Sequence, residues 1–296
     1  MSYLEKLDRE LRRAGIGTAL RRRILAEIAD HLTCDPAADL GEPVVIARQF
    51  ADELGTSLSR RAAISAFGAL AVAGVFYVAV FVTAGVAGFD YGALHARSRL
   101  LAAAGGADLV LAPQLAFVAG ALAVLLALRQ RRAVVVSSAE AQLLRRRAGV
   151  ALAAGLATMA GIPLEVFEFS GQVAPWWQTL AYAGASIGTV AMLLALQPLL
   201  AAIRVRHSTP GRASDVFDDL GPLVPRRLRR RAWPFALSVA TLVCLGVAAA
   251  GVAQSDPIDG AVRGIIDGSA CLAGFALFGR FLGLRGHDAR RPEEPA

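Results

Sequence analysis

The run AAISAFGALAVAGVFYVAVFVTAGVA, from Ala62 to Ala87, decides the class of fold. It contains no Asp, Glu, Lys or Arg. It also exceeds the roughly 20 residues that an α-helix needs to cross a hydrocarbon core of about 30 Å. A chain in such a core must satisfy its own backbone hydrogen bonds, and a helix does so within one segment. The run therefore predicts a membrane-spanning helix.

Five further apolar runs of similar length follow along the chain. They cover about Leu109–Leu128, Ala148–Phe169, Trp176–Ile203, Trp233–Gln254 and Ala261–Leu284. The whole chain is 55% hydrophobic, which is too apolar for an ordinary soluble domain. We predict an all-α, polytopic membrane protein with a six-helix transmembrane bundle over residues 61–285. Residues 286–296 are expected to form a disordered cytoplasmic tail.

Arginines indicate which way the bundle faces. They concentrate in the connections after the second and fourth runs, whereas the opposite connections contain few. The rich connections hold Arg129, Arg131, Arg132, Arg145, Arg146 and Arg147, and then Arg204, Arg206, Arg212, Arg226, Arg227, Arg229, Arg230 and Arg231. By the positive-inside rule both connections and both termini are cytoplasmic, and the protein lies in the cell membrane.

The same arginines bear on what the chain binds. Arginines beside a span attract anionic lipid headgroups, so membrane lipids are expected contacts. The net charge is +7, but the basic residues flank apolar runs instead of forming a separate basic domain. Direct binding to nucleic acid is therefore not expected.

A polar block, Tyr3–Thr56, precedes the first apolar run. Its apolar residues recur at helical spacing in three short segments, which predicts three amphipathic helices. The third begins at Pro43, a favoured first-turn residue, and Gly55 is expected to end it in a left-handed conformation. We predict a cytoplasmic three-helix module over residues 1–60, joined to the first span by a few residues.

So small a module buries little apolar surface by itself. It is expected to lean on the membrane, on a protein partner, or on a second copy in a homo-oligomer. The candidate docking residues share the apolar faces of the three helices. They are Leu4, Leu7, Leu11, Ile24, Ile28, Phe50 and Leu54.

The module also resembles a known family. Its patterns Y-L-x-x-L-x-x-x-L, R-x-x-I-L-x-E-I-x-x-H-L and A-x-x-F-x-x-E-L-G are similar to the HAAS-type signalling domain, also called a DUF1700-like or permease-prefix domain. The matching residues are Tyr3, Leu4, Leu7, Leu11, Arg21, Ile24, Leu25, Glu27, Ile28, His31, Leu32, Ala47, Phe50, Glu53, Leu54 and Gly55. The resemblance implies a domain that precedes several transmembrane helices and is often linked to PadR-type transcriptional regulators.

Four ionisable residues fall in or beside the apolar runs. Glu165 and Glu168 lie one turn apart near the end of the third run, and Arg263 and Asp267 lie four residues apart in the sixth. Charges in a span are costly and usually face the bundle interior or a wet cavity. Two interpretations are open: a polar pocket for a small solute, ion or lipid headgroup, or an interhelical salt bridge of Arg263 with Asp267 or Glu165.

The connection between the fourth and fifth runs holds a short acidic and apolar stretch, Asp215–Leu220 (DVFDDL). Such a stretch can form one or two helical turns. It is either a solvated loop or a docking site.

No motif indicates catalysis. The chain lacks a P-loop, an H-E-x-x-H motif and a G-x-S-x-G motif, so no enzyme activity and no cofactor are expected. His31 and Cys34 form an H-x-x-C pair, but structural zinc takes four ligands, and Cys244 and Cys271 lie in apolar runs. No metal site is therefore expected.

These observations support two hypotheses for function. The first is a membrane-bound signalling or regulatory protein whose cytoplasmic module docks a partner such as a PadR-type regulator or a second membrane subunit. The second is a permease-like or auxiliary subunit of a transporter. A polar cavity reaching the midplane would favour transport, whereas a tightly packed bundle would favour signalling.

Overall fold

A computed structural model describes residues 2–35, 40–88, 95–131, 138–205, 233–253 and 257–278. The predicted all-α fold is confirmed for these residues. The helices are α1 (Tyr3–Arg13), α2 (Thr18–Cys34), α3 (Pro43–Ala84), α4 (Arg99–Gln130), α5 (Ser138–Glu168), α6 (Pro175–Arg204), α7 (Trp233–Ala253) and α8 (Pro257–Phe278). The predicted tail, the end of the sixth run and the stretch Asp215–Leu220 lie outside the described residues.

Within the described residues, four helices, α3 to α6, are long and apolar enough to cross a membrane. They alternate in direction. We call the end of this bundle beside α1 and α2 the near end, and the opposite end the far end. α4 and α5 form an antiparallel hairpin, and α3 packs along α6. α7 and α8 pair with each other, and α8 contacts α4.

α1 and α2 fold onto the first turns of α3 to form what we call the N-terminal unit. Ser2 and Glu5 make a reciprocal capping box that starts α1. An ion pair of 2.6 Å between Asp8 and Arg21 joins α1 to α2. The unit has its own buried cluster, formed by Leu7, Leu11, Ile16, Ile24 and Ala47.

The prediction for Gly55 is wrong. α3 does not end there but continues as one helix of 42 residues from the N-terminal unit to the far end. Gly55 is buried inside it, and the hydroxyl of Ser59 donates a 2.6 Å hydrogen bond to the Gly55 carbonyl. An internal glycine costs a helix only about 1 kcal/mol, and no proline follows to stop it. No linker therefore separates the unit from the first span.

A stripe of small, buried side chains runs along α3 on both sides of Gly55. Its buried positions recur every three or four residues, which keeps them on one face of the helix. They include Ala47, Ala51, Gly55, Ser59, Ala62, Ala66, Ala69 and Ala73. One continuous stripe of small residues thus packs against α1 at the near end and against the bundle further on.

The arginines after the second run are placed differently from the prediction. α4 extends to Gln130 and α5 begins at Ser138, so only residues 131–137 connect them. Arg145 and Arg147 are therefore helical, and the side chain of Arg147 is fully buried. Their positive charge lies at the near end as part of the packed bundle.

Candidate functional site

The N-terminal unit buries some of the residues that the sequence offered for docking. Leu7 and Leu11 are 0% exposed and Ile24 is 5% exposed, all within the unit's own cluster. Their apolar side chains meet other helices of the same chain. Ile28 packs at the margin of the cluster, and Leu4 is partly exposed.

A groove remains between α2 and α3, and it is the candidate functional site. It encloses about 370 Å³ and we call it the α2–α3 groove. It forms because α1 packs against both helices and holds them beside each other. The lining residues are Ile16, Leu20, Arg23, Ile24, Glu27, Phe50, Glu53, Leu54 and Ser57. Three of the predicted docking residues, Ile24, Phe50 and Leu54, are brought together here.

The groove is amphipathic. Leu20, on α2, leaves 38% of its surface exposed although it is apolar. Arg23 and Glu27 form an exposed ion pair of 3.0 Å along α2, and Glu53 lines the groove from α3. An apolar floor with charged edges suits an amphipathic helix, whose apolar face can enter while its polar face stays in water.

The N-terminal unit contacts the near end of the bundle at Gly15. Gly15 adopts a φ of +83°, and a Cβ there would collide with the carbonyl oxygen of Arg204 at the end of α6. The guanidinium of Arg145 donates hydrogen bonds of 2.8 Å and 3.3 Å to the carbonyls of Ala202 and Val205. Arg145 thus satisfies carbonyls that the end of α6 leaves without helical partners.

Glu168 belongs to the packing of the far end. It is 1% exposed, and its carboxylate accepts a 2.6 Å hydrogen bond from the backbone N–H of Ser98. Ser98 is the N-cap of α4, so the carboxylate sits at the positive end of that helix. The neighbouring Arg97 stacks on the ring of Phe167, 4.8 Å from its centre.

Glu165 lies deeper in the same α4–α5 interface. It is 2% exposed, and a Cβ at Gly105 would lie 2.7 Å from its Oε1. The reverse arrangement occurs one turn further on, where Asp108 of α4 faces Gly161 of α5. Each acidic side chain thus lies over a glycine of the partner helix, and neither Glu165 nor Glu168 presents its carboxylate to an open surface.

Asp267 lies on α8, within electrostatic range of Arg263, as their spacing predicted, and of Tyr77 on α3. Sequence reasoning missed Tyr77, whose hydroxyl donates a hydrogen bond to the backbone carbonyl of Leu109. The sequence did contain an indication of this contact, because Pro113 lies inside the second run. A proline in a helix leaves the carbonyl four residues earlier, here that of Leu109, without its usual donor.

Small residues at the α7–α8 contact were also missed. Gly264 and Gly268 lie on one face of α8, and Cβ atoms there would lie 2.5 Å and 3.0 Å from the carbonyl oxygens of Cys244 and Ala240. The G-x-x-x-G spacing was the signal, since glycines four residues apart allow two helix backbones to approach.

No group of three His, Cys, Asp or Glu side chains that could hold a metal ion occurs in the part of the chain that the structure describes. His31 and Cys34 are both exposed at the end of α2. Comparisons with protein-family models, with curated proteins and with solved structures found no match to this chain.

Proposed function

We propose that this chain is an integral membrane regulatory protein whose N-terminal unit docks a cytoplasmic protein partner in the α2–α3 groove. The observation that carries the proposal is the continuity of α3. Phe50 and Leu54 line the groove, and the same helix extends through the bundle to Ala84. Because an α-helix is stiff over this length, a tilt or rotation of α3 in the bundle changes the groove directly.

The membrane topology proposed here has six spans, α3 to α8, with both termini cytoplasmic. α7 and α8 contain 21 and 22 residues, enough to cross a hydrocarbon core. The arginines at the near end, including Arg145 and Arg204, support a cytoplasmic position for that end. The N-terminal unit is then in the cytoplasm, where a transcription regulator is accessible.

We propose further that the N-terminal unit is a HAAS-like domain and that its partner is a PadR-type regulator. The sequence patterns of α1 and α2 support this assignment. Several matching positions have an evident physical role, since Leu7, Leu11 and Ile24 form the core of the unit and Phe50 and Leu54 line its groove. The partner fits the amphipathic lining if it offers a helix with one apolar face.

A matched pair of substitutions tests the docking role. Leu20→Asp places a charge in the groove, whereas Val45→Asp places one on α3 outside it; these two residues are 38% and 46% exposed. Transcript levels are measured in cells lacking the chain and complemented with the wild type or either variant, at equal protein levels in the membrane.

We expect Val45→Asp to restore the transcript pattern of the wild type, and Leu20→Asp to leave the pattern of the deletion. Equal restoration by both variants would refute docking in the groove. No transcript change on deletion would refute the regulatory function itself.

A further inference from the structure

We propose that a small cavity between α4 and α8 binds the hydroxyl group of a neutral membrane lipid, with the chemistry of a diacylglycerol. We call it the α4–α8 cavity. This lipid site goes beyond the docking role of the N-terminal unit and does not depend on it, because the cavity lies in the bundle and the docking groove lies outside it.

The cavity forms where one face of α4 meets one face of α8. Its residues on α4 recur every three or four positions, and those on α8 lie one turn apart, so each set shares a helix face. The lining includes Leu111, Gln114, Leu115 and Val118 of α4, and Cys271 and Gly274 of α8.

The cavity lies at the depth of the lipid hydrocarbon. α4 is one of the helices long and apolar enough to cross a membrane. Gln114 is five residues inside the apolar run that begins at Leu109, which is roughly 8 Å at the helical rise of about 1.5 Å per residue. Leu111, in the lining, leaves 45% of its surface exposed, so the cavity adjoins the outer surface of the bundle. Lipid is therefore the solvent from which a ligand enters.

The side chain of Gln114 supplies the polar group of the cavity. Its Oε1 atom is buried, and it accepts no hydrogen bond from the residues that the structure describes. A buried amide oxygen without a donor costs free energy, and hydrocarbon offers no water to replace that donor. Gln114 therefore favours a ligand that brings one hydrogen-bond donor into an otherwise apolar site.

The size of the cavity limits what enters it. Its volume is about 10 Å³, which is room for one water-sized group. At Gly274 a Cβ would meet no heavy atom within 4 Å, so the missing side chain leaves space on the α8 wall. A hydroxyl group fits, whereas a phosphate headgroup is larger and would bury its charge among apolar side chains.

A lipid hydroxyl suits the cavity better than a water molecule does. A buried water typically makes about three hydrogen bonds and needs two to four polar partners. Gln114 is the only lining side chain with a strong hydrogen-bonding group, since Cys271 has only a weakly bonding thiol. A lipid hydroxyl needs one acceptor for its proton, and its hydrocarbon part packs against Leu115 and Val118.

Binding there stabilises the contact between the two helices. α8 contacts α4 along the face that lines the cavity, and α8 also pairs with α7. A ligand that bridges α4 and α8 in the folded state alone raises the stability of that state. The lipid thus helps to hold the α7–α8 pair against α4.

Photolabelling of the full chain in phosphatidylcholine nanodiscs tests the site. The probe is a diacylglycerol with a diazirine on one acyl chain, and the matched probe is its methyl ether, which lacks the O–H donor. Mass spectrometry measures the labelled fraction of peptides from α4 and α8. We expect the alcohol to label them about fivefold more than the ether at equal concentration, the factor that one net hydrogen bond contributes.

Two substitutions separate the hydrogen bond from the space. Gln114→Leu should reduce the ratio of alcohol to ether labelling to about one, because the acceptor is lost. Gly274→Leu should remove labelling by both probes, because its side chain fills the cavity. Gly246→Leu is the control, since Gly246 also has open space around it but lies on α7 outside the cavity, and it should label like the wild type.

Equal labelling by the two probes in the wild type would overturn the proposal, as would a ratio that Gln114→Leu leaves unchanged. Excess glycerol, which carries the same hydroxyl chemistry without acyl chains, should not compete; competition by glycerol would show a site for a soluble alcohol and would refute the lipid. The transcript assay with Leu20→Asp is a separate measurement, so the lipid site and the docking role can each fail alone.

Discussion

The hydroxyl of Tyr77 donates a 2.9 Å hydrogen bond to the backbone carbonyl oxygen of Leu109. Pro113 lies four residues after Leu109 in α4 and has no N–H to offer that carbonyl. A side chain of α3 therefore completes a hydrogen bond that proline removes from α4. The contact links the helix that lines the groove to its neighbour in the bundle.

Tyr77→Phe is expected to destabilise the bundle by about 1 kcal/mol, because the Leu109 carbonyl loses its donor in an apolar environment. The loss should shrink in a Pro113→Ala background, where residue 113 can donate to that carbonyl. Thermal unfolding of the detergent-solubilised protein measures this double-mutant cycle. Tyr182→Phe, at an exposed tyrosine, is the control. Additive effects of Tyr77→Phe and Pro113→Ala would contradict the explanation.

Gly15→Ala is expected to loosen the N-terminal unit from the near end, because its Cβ collides with the Arg204 carbonyl. Gly41→Ala is the matched control: Gly41 has a similar φ of +76°, but open space around it. Both variants incur the left-handed strain of about 1–2 kcal/mol, and only the first has the collision. Hydrogen exchange should show faster exchange in α1 and α2 for Gly15→Ala alone. Equal exchange in both variants would show that backbone strain, and not the contact, explains the glycine.

Glu168→Ala is expected to cost about 1–3 kcal/mol, since the partly buried N–H of Ser98 loses its acceptor. Glu168→Gln keeps an oxygen in the same place and should cost clearly less. Unfolding of the two variants in detergent compares them. If Glu168→Gln is as damaging as Glu168→Ala, the negative charge at the positive end of α4 matters beyond the hydrogen bond.

Gly264→Ala is expected to separate α7 from α8, because its Cβ would lie 2.5 Å from the backbone oxygen of Cys244. Gly274→Ala, on the same helix with open space around it, should be neutral or slightly stabilising, as alanine favours helices by about 1 kcal/mol over glycine. Oxidative cross-linking between cysteines placed on α7 and α8 reports the separation. Similar behaviour of the two variants would argue against a close helix contact through Gly264.

Inserting one alanine between Leu58 and Ser59 is expected to abolish regulation without unfolding the bundle. One residue rotates the two halves of α3 by about 100°, whereas four residues restore the original face to within about 40°. The transcript assay should therefore fail with one inserted alanine and recover in part with four. Retained regulation with one alanine would show that α3 does not carry the signal as a rigid helix.

The helical elements were predictable because they depend on local features. Apolar runs longer than a membrane core predicted α3 to α6 well, and Pro43 correctly marked the start of a helix. The candidate site was predictable only in part. Helical spacing identified Phe50 and Leu54 as apolar positions of one face, but it also selected Leu7 and Leu11, which the unit buries in its own core. Periodicity reports that a face is apolar, and not which surface covers it.

By itself, the sequence determined the all-helical class, the apolar runs and the charge asymmetry, since hydropathy, spacing and composition are properties of short segments. Only the tertiary structure decided which glycine ends a helix. Gly55 lies buried within the continuous α3 helix, whereas Gly15 turns the chain and makes room for the Arg204 carbonyl. The tertiary structure also decided that α2 and α3 leave a groove between them. These outcomes depend on packing between distant residues, which no local pattern contains.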